Sequence, residues 1–226
     1  MDASFDKKNF KCKFDYCIGK ATDLSDPKLQ AKAQDYKRRL SGAFRAISGQ
    51  DIGKIPAGRG TIVSRKYDGE FCLVFYDGKN IISLHPSGTV RSGLPCLEEA
   101  ADKLKKAKVG SCILAAEYYL LDTAAESRSL EQVLRVLRAP TSKKTLDGLG
   151  LAVFDVVELE GKPVAAATKV FEDLDKWFGK GKNARPVEHK PANKSETIME
   201  TYVDWVIGEG ADGLVVRNDK GDHYKV

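Results

Sequence analysis

A lysine becomes a nucleophile only when it loses its proton, which requires desolvation or nearby positive charge. Lys66, in the run Val63-Ser64-Arg65-Lys66-Tyr67-Asp68-Gly69, stands between an apolar strand and an Asp-Gly turn. A fixed backbone there would let the amine be aimed, and Arg65, other cations and a bound metal ion would supply the charge. The same four residues, Lys66-Tyr67-Asp68-Gly69, also read as an exposed lysine before a turn, and K-x-D-G alone does not separate the two readings. Further along lie Glu117 in Ile113-Leu114-Ala115-Ala116-Glu117-Tyr118 and Phe154 in Val153-Phe154-Asp155-Val156-Val157. Asp212-Gly213-Leu214-Val215-Val216-Arg217 and Tyr224-Lys225-Val226 follow. Taken singly, Glu117 reads equally as a polar residue on a strand face, Phe154 as core, and Asp212 and Arg217 as surface charges.

The elements that must position these residues follow from periodicity. Phe10, Cys12, Phe14, Tyr16 and Ile18 alternate with polar neighbours, the pattern of a half-buried strand. Asp26-Pro27 opens a helix whose apolar positions run from Leu29 to Ile47, with Gly49 ending it. Strands are expected at 62–63, 71–75 and 81–82, with Asp68-Gly69 and Asp77-Gly78 as hairpin-like turns. Beyond them come helices over 97–106, 130–137, 170–178 and 196–207, the last capped by Asn193 and closed by Gly208. Strands are expected over 113–121, 151–157, 214–216 and 223–226. Many strands broken by single helices indicate an α+β fold with antiparallel sheets flanked by helices. No linker demands a boundary, so the expectation is one domain over 1–226, with 1–60 an N-terminal strand and helix segment and 61–226 carrying the motifs.

With a formal charge of +5 the chain leans basic, and clusters such as Lys37-Arg38-Arg39 and Lys103-Lys105-Lys106 read either as phosphate contacts or as solvated helix faces. No apolar run reaches the length of a membrane span and the amino terminus has no secretory signal, so a cytoplasmic location is expected, or the nucleus in a eukaryote. The five cysteines, Cys12, Cys17, Cys72, Cys96 and Cys112, contain no C-x-x-C pair, which argues against structural zinc and for reduced thiols at apolar positions.

In order and spacing, the segments over 63–226 resemble the motifs of the covalent nucleotidyltransferases, the family of ATP-dependent DNA ligases, RNA ligases and mRNA capping enzymes. Lys66-Tyr67-Asp68-Gly69 resembles the first motif, and its tyrosine is most like the DNA ligases. The stretch ending in Glu117 falls where the family has a strand ending in D-G-E. Phe154-Asp155 resembles its aromatic-Asp motif, Asp212 to Arg217 its E-G-x-V-x-K element, and Lys225 the opening of its K-x-K motif. The resemblance implies an ATP-grasp-like nucleotidyltransferase domain of the DNA ligase type. It implies ATP and Mg²⁺ as cofactors, with Mn²⁺ as a substitute, and nicked duplex DNA as partner, RNA being the alternative. Lys66 would take AMP from the α-phosphate and pass it to a 5′-phosphate for nick sealing. Glu117 would contact the ribose, and Phe154 would stack on the base, a contact of about 1–3 kcal/mol. Arg217 and Lys225 would neutralise the α-phosphate and Asp212 would support the metal. Asp68 would position the ribose or the lysine.

The chain departs from the family pattern at several places. Phe71 stands where the family often has arginine, and Pro86 occupies the arginine position of an expected S-R-x-G element, with Arg91 nearby as a conceivable substitute. Ala115-Ala116 replace D-G, Asp212 replaces Glu, and Arg217 replaces Lys. Family ligases continue into an oligonucleotide-binding (OB) barrel; none is expected here, so the chain would need that barrel or a partner for full turnover. The alternatives are an RNA ligase, a GTP-using capping enzyme, and a non-catalytic nucleotide- or DNA-binding homologue, the last favoured by the missing arginines.

Overall fold

Alternation along two central strands, β5 (Glu70–Tyr76) and β8 (Cys112–Leu120), decides the architecture. Cys72, Val74 and Tyr76 join Leu114, Ala116 and Tyr118 in one apolar cluster, while Phe71, Leu73 and Phe75 join Ile113 and Ala115 in another. Strands apolar on both faces have to be covered on both. In this computed structural model, which describes residues 1–121, 129–179 and 181–226, helices do the covering. The first cluster packs under α2 (Pro95–Lys106), α3 (Leu130–Arg138), α4 (Lys143–Asp147) and α5 (Ala167–Trp177). On the other side lies α1 (Lys28–Ala43), through Leu29, Ala33 and Tyr36.

Among the described residues, β5 and β8 sit in the middle of a nine-stranded sheet. Its order is β1 (Lys11–Lys13), β2 (Tyr16–Lys20), β7 (Thr89–Ser92), β6 (Ile81–Leu84), β5, β8, β9 (Leu149–Leu159), β10 (Lys162–Pro163), with β11 (Ala184–Pro186) also on β9. A five-stranded sheet runs β12 (His189–Pro191), β4 (Thr61–Arg65), β13 (Leu214–Asn218), β14 (His223–Lys225), β3 (Phe44–Ala46). Its core, with Ile52, Val63, Leu214 and Val216, is closed by Ile198 of α6 (Ser195–Thr201). Pairing is antiparallel throughout except β11 on β9 and β14 on β3. The α+β class with antiparallel sheets is as expected. No helix among the described residues is long and apolar enough to cross a membrane.

Four local expectations fail, each for a physical reason. The single strand expected over 10–18 is a hairpin, because Phe14 and Asp15 turn at φ 55° and 71° and fold β1 back on β2. That turn sets Cys12 opposite Cys17, and the two form a disulfide; only Cys72, Cys96 and Cys112 are the buried free thiols expected of all five. The first helix stops at Ala43 because Phe44–Ala46 is drawn into a parallel pairing with β14; it begins at Lys28 with Pro27 as the cap residue instead of in the first turn, although the Asp26 carboxylate accepts from the Lys28 N–H at 3.1 Å. Asn193 does not cap α6, which begins after Lys194 and continues as a π-helix over Tyr202–Gly208.

Arg91 is not the substitute arginine. It lies on β7, 2% exposed, and grips Glu70 through both terminal nitrogens, at 2.7 and 2.9 Å. Glu70 is only 8% exposed, so the pair is a buried one that lines none of the described clefts. Losing one partner of such a pair strands the other charge. We predict that Arg91→Leu lowers the unfolding free energy in urea by about 3–5 kcal/mol. Replacing both residues, in Arg91→Leu/Glu70→Leu, is expected to recover most of that loss.

Candidate active site

Lys66 is the first residue after β4, and Glu70 opens β5, yet these strands belong to different sheets. The segment 66–69 is therefore a crossing between sheets and not the hairpin turn that Asp68-Gly69 suggests. Two glycines fix the crossing. A Cβ on Gly69 would come within 2.3 Å of the Tyr118 carbonyl oxygen, so only glycine brings the segment this close to β8. Gly213, at φ 147°, lies against the Val226 carbonyl, and its own carbonyl accepts from the Lys66 N–H at 3.0 Å. Lys66 is thus anchored by backbone on the strand that carries Arg217.

Between the sheets is a cleft lined by Lys66, Glu117, Phe154, Arg217 and Lys225, five of the seven residues expected at a site. Each arrives from a different strand or from the crossing: Glu117 from β8, Phe154 from β9, Arg217 from β13, Lys225 from β14. Asp68 and Asp212 lie on the other side of Lys66, in a neighbouring cleft with Tyr67, Tyr119 and Glu209. Lys66 lines both clefts, and its amine contacts the Asp212 carboxylate. The Asp68 carboxylate accepts from the Leu130 N–H at 3.4 Å, at the start of α3. Among the described residues no group of three or more His, Cys, Asp or Glu could hold a metal ion. A magnesium ion that keeps most of its water needs only one or two carboxylates, and Asp212 offers one.

Arg217 is 5% exposed, lies 3.4 Å from the Asp155 carboxylate and donates to the Phe154 carbonyl. Its Nε is buried with no hydrogen-bond partner among the described residues. Asp155 also accepts from the Tyr36 hydroxyl at 2.6 Å, which brings α1 into the same network. Phe71, in the place of the family arginine, pairs across the strands with Glu117. Its ring stacks on Tyr36, with centroids 6.1 Å apart and planes at 3°, and lies 6.3 Å from Phe154. Phe71 is therefore part of an aromatic wall with Tyr36 and Phe154.

Arg65, named in the sequence as a charge beside Lys66, does line the cleft, while Lys37 and Leu40 of α1 and Phe44 are lining residues that sequence reading did not place there. Arg65 pairs with Glu188 at 2.5 Å and with Glu209, and lies over the Trp205 ring at 5.1 Å. For Lys37 the available signal was its place in Lys37-Arg38-Arg39; nothing in that triplet says which of the three turns inward.

Burial pushes the Glu117 carboxyl up to about 7, against the pull of Lys66, Lys37 and Lys225. Between about pH 5 and 7 the folded chain then holds a proton that the unfolded chain has released, so stability falls as pH rises through this window. Glu117→Gln is expected to remove that slope in urea titrations. It should match the wild type near pH 5 and exceed it by about 1–3 kcal/mol at pH 8, a figure discounted for partial exposure of the carboxyl.

Residues 40–226 match the family model of the ATP-dependent DNA ligase domain. Among solved structures, the chain is similar to one named Pmar-Lig_PreS3, with a TM-score of 0.61 and 14% identity over 87% of this chain and 50% of that one. The ATP-dependent DNA ligase of bacteriophage T7 in complex with ATP gives a TM-score of 0.51 and 13% identity, covering 81% of this chain and 68% of the phage enzyme. The ligase domain of M. tuberculosis LigD gives 0.50 and 16%, covering 73% and 52%. At these identities the likeness is one of fold, and the chain spans only half the length of the first of them. No curated protein sequence matches the chain. The family model extends over most of the sequence, from the end of α1 to Val226, and takes in Lys66, Glu117, Phe154, Asp212, Arg217 and Lys225. On that match the chain belongs to the ATP-dependent DNA ligase domain family.

Proposed function

We propose that this chain is the adenylating unit of an ATP-dependent DNA ligase, with Lys66 as the residue that carries AMP. The observation that supports this most is the placement of Lys66 at the junction of two clefts, one aromatic and basic, the other acidic. In this reading a nucleoside occupies the first, with Phe154 against the base and Glu117 accepting from ribose hydroxyls. The polyphosphate then runs past Lys66 toward the acidic cleft.

In the step proposed, the neutral Lys66 amine attacks the α-phosphorus. An N–P bond forms, the bond from the α-phosphorus to the bridging oxygen breaks, and pyrophosphate leaves with that electron pair. The ammonium must first give up its proton to solvent, with Asp212, in contact with it, released from the ion pair. Arg217 and Lys225 place positive charge against the α-phosphate oxygens as negative charge builds. A magnesium ion held by Asp212 would neutralise pyrophosphate charge. Asp68 holds the crossing that carries Lys66 through its contact with the start of α3. AMP then passes to a 5′-phosphate at a nick: an oxygen of that phosphate attacks, the N–P bond breaks, and Lys66 leaves as the amine. Attack by the adjacent 3′-hydroxyl seals the nick and releases AMP. Nicked duplex DNA is the partner proposed, and an OB barrel is the further domain such a cycle would use.

We also propose a cytoplasmic location, or a nuclear one in a eukaryote, supported by the three buried free thiols; the Cys12–Cys17 bridge is the observation against it.

Incubation with α-labelled ATP and Mg²⁺, followed by denaturation, is expected to leave label on the wild type and none on Lys66→Ala. Retention of label by Lys66→Ala, or no label on the wild type even with nicked duplex and Mn²⁺, would sink the proposal. Noncovalent binding of ATP without label would favour a binding module, the reading that Phe71 and Pro86 support.

A further inference from the structure

The site holds a cation that no sequence motif marks. Lys37, Arg65, Lys66, Arg217 and Lys225 line the central cleft. Three of these five are neutralised in place: Arg65 by Glu188 and Glu209, Lys66 by Asp212, Arg217 by Asp155. Lys37 and Lys225 have no ion-pair or hydrogen-bond partner for their amines among the described residues. Each instead lies over an aromatic ring, Lys37 at 4.6 Å from the centre of Phe71 and Lys225 at 4.3 Å from that of Phe44. The neighbours of Lys37 on α1 behave differently, since Arg38 and Arg39 both close on Asp35 at 2.7 Å and turn away from the cleft.

A ring face steadies an amine without neutralising it, so both charges stay available to an incoming anion. They are close enough to act on each other: burial, then Lys37, then Lys66 lowers the Lys225 amine. Two like charges held in one cleft repel, and an anion between them relieves that repulsion. Because Phe71 pairs with Glu117, the Lys37 amine sits beside the proposed ribose contact, within reach of phosphate oxygens on either side of the sugar.

We propose that Lys37 is a phosphate-binding residue, contributed by α1 from outside the matched family segment, which forms a two-amine clamp with Lys225 over the aromatic pair Phe71 and Phe44. The proposal rests on the adenylating function above. Its phosphate is either that of the nucleotide or the 5′-phosphate of the nick, and the measurement separates them.

The test follows Lys66-dependent labelling of the full chain across ATP concentrations, for wild type, Lys37→Met, Lys37→Arg and Arg38→Met. If the clamp holds the nucleotide, Lys37→Met raises the KM for ATP about tenfold, the loss of one charge-assisted contact. Inhibition by adenosine, which has no phosphate, stays unchanged; Lys37→Arg recovers most of the loss, and Arg38→Met behaves as wild type. If the clamp holds the nick, the KM for ATP is unmoved, and Lys37→Met instead weakens binding of a 5′-phosphorylated nick about tenfold with no effect on a 5′-hydroxyl nick. Equal effects on ATP and adenosine, or no effect on either phosphate, would overturn the inference. Absence of label on the wild type would count against the adenylating function itself, and so is distinguishable from failure of the clamp.

Discussion

Arg217 leaves the five-stranded sheet and ends on the nine-stranded one, where its guanidinium meets the Asp155 carboxylate and donates to the Phe154 carbonyl. With Arg217 5% and Asp155 16% exposed, the pair is largely shielded from solvent screening, and the Arg217 charge would be costly to bury without its partner. The pair bridges the two sheets beside the cleft. The backbone of Phe154 is held by the same guanidinium, and Tyr36, through Asp155, brings α1 into the network. Removing the guanidinium would therefore loosen three walls of the cleft at once.

The segment 66–69 is the covalent counterpart of that contact. A crossing between sheets gives a lysine backbone anchorage on one sheet and side-chain access to the other, which a hairpin within one sheet could not. The closeness of approach depends on Gly69 against β8 and on Gly213 against the end of the chain. Both glycines stand next to acidic residues, Asp68 and Asp212, so the same turns that permit the approach put carboxylates beside Lys66. In the described structure the Lys66 amine is held by the Asp212 carboxylate.

Phe71 shows how a departure from a motif is absorbed. Its ring joins Tyr36 and Phe154 in a wall that arginine would have made polar, and it carries the Lys37 amine on its open face. The positive charge beside Phe71 is thus supplied by α1, through Lys37. The aromatic wall also explains why Glu117, its cross-strand partner, sits in surroundings dry enough to hold its proton up to about pH 7.

The sequence by itself determined the α+β class and the central strands, because β5 and β8 are short, nearly continuous apolar runs, a signal that is local and strong. It also brought forward Lys66, Glu117, Phe154, Asp212, Arg217 and Lys225, because their types and order resemble a known set of motifs and each stands next to a recognisable strand or turn. Tertiary structure alone decided the rest. That Asp68-Gly69 joins two sheets, that Arg91 is consumed by Glu70, and that Lys37 turns inward while Arg38 and Arg39 turn out are facts about non-local partners. The Cys12–Cys17 bridge depended on a turn formed by two non-glycine residues at positive φ, which local propensity disfavours. Local chemistry is written in neighbouring residues; which charge meets which is settled only when distant strands are brought side by side.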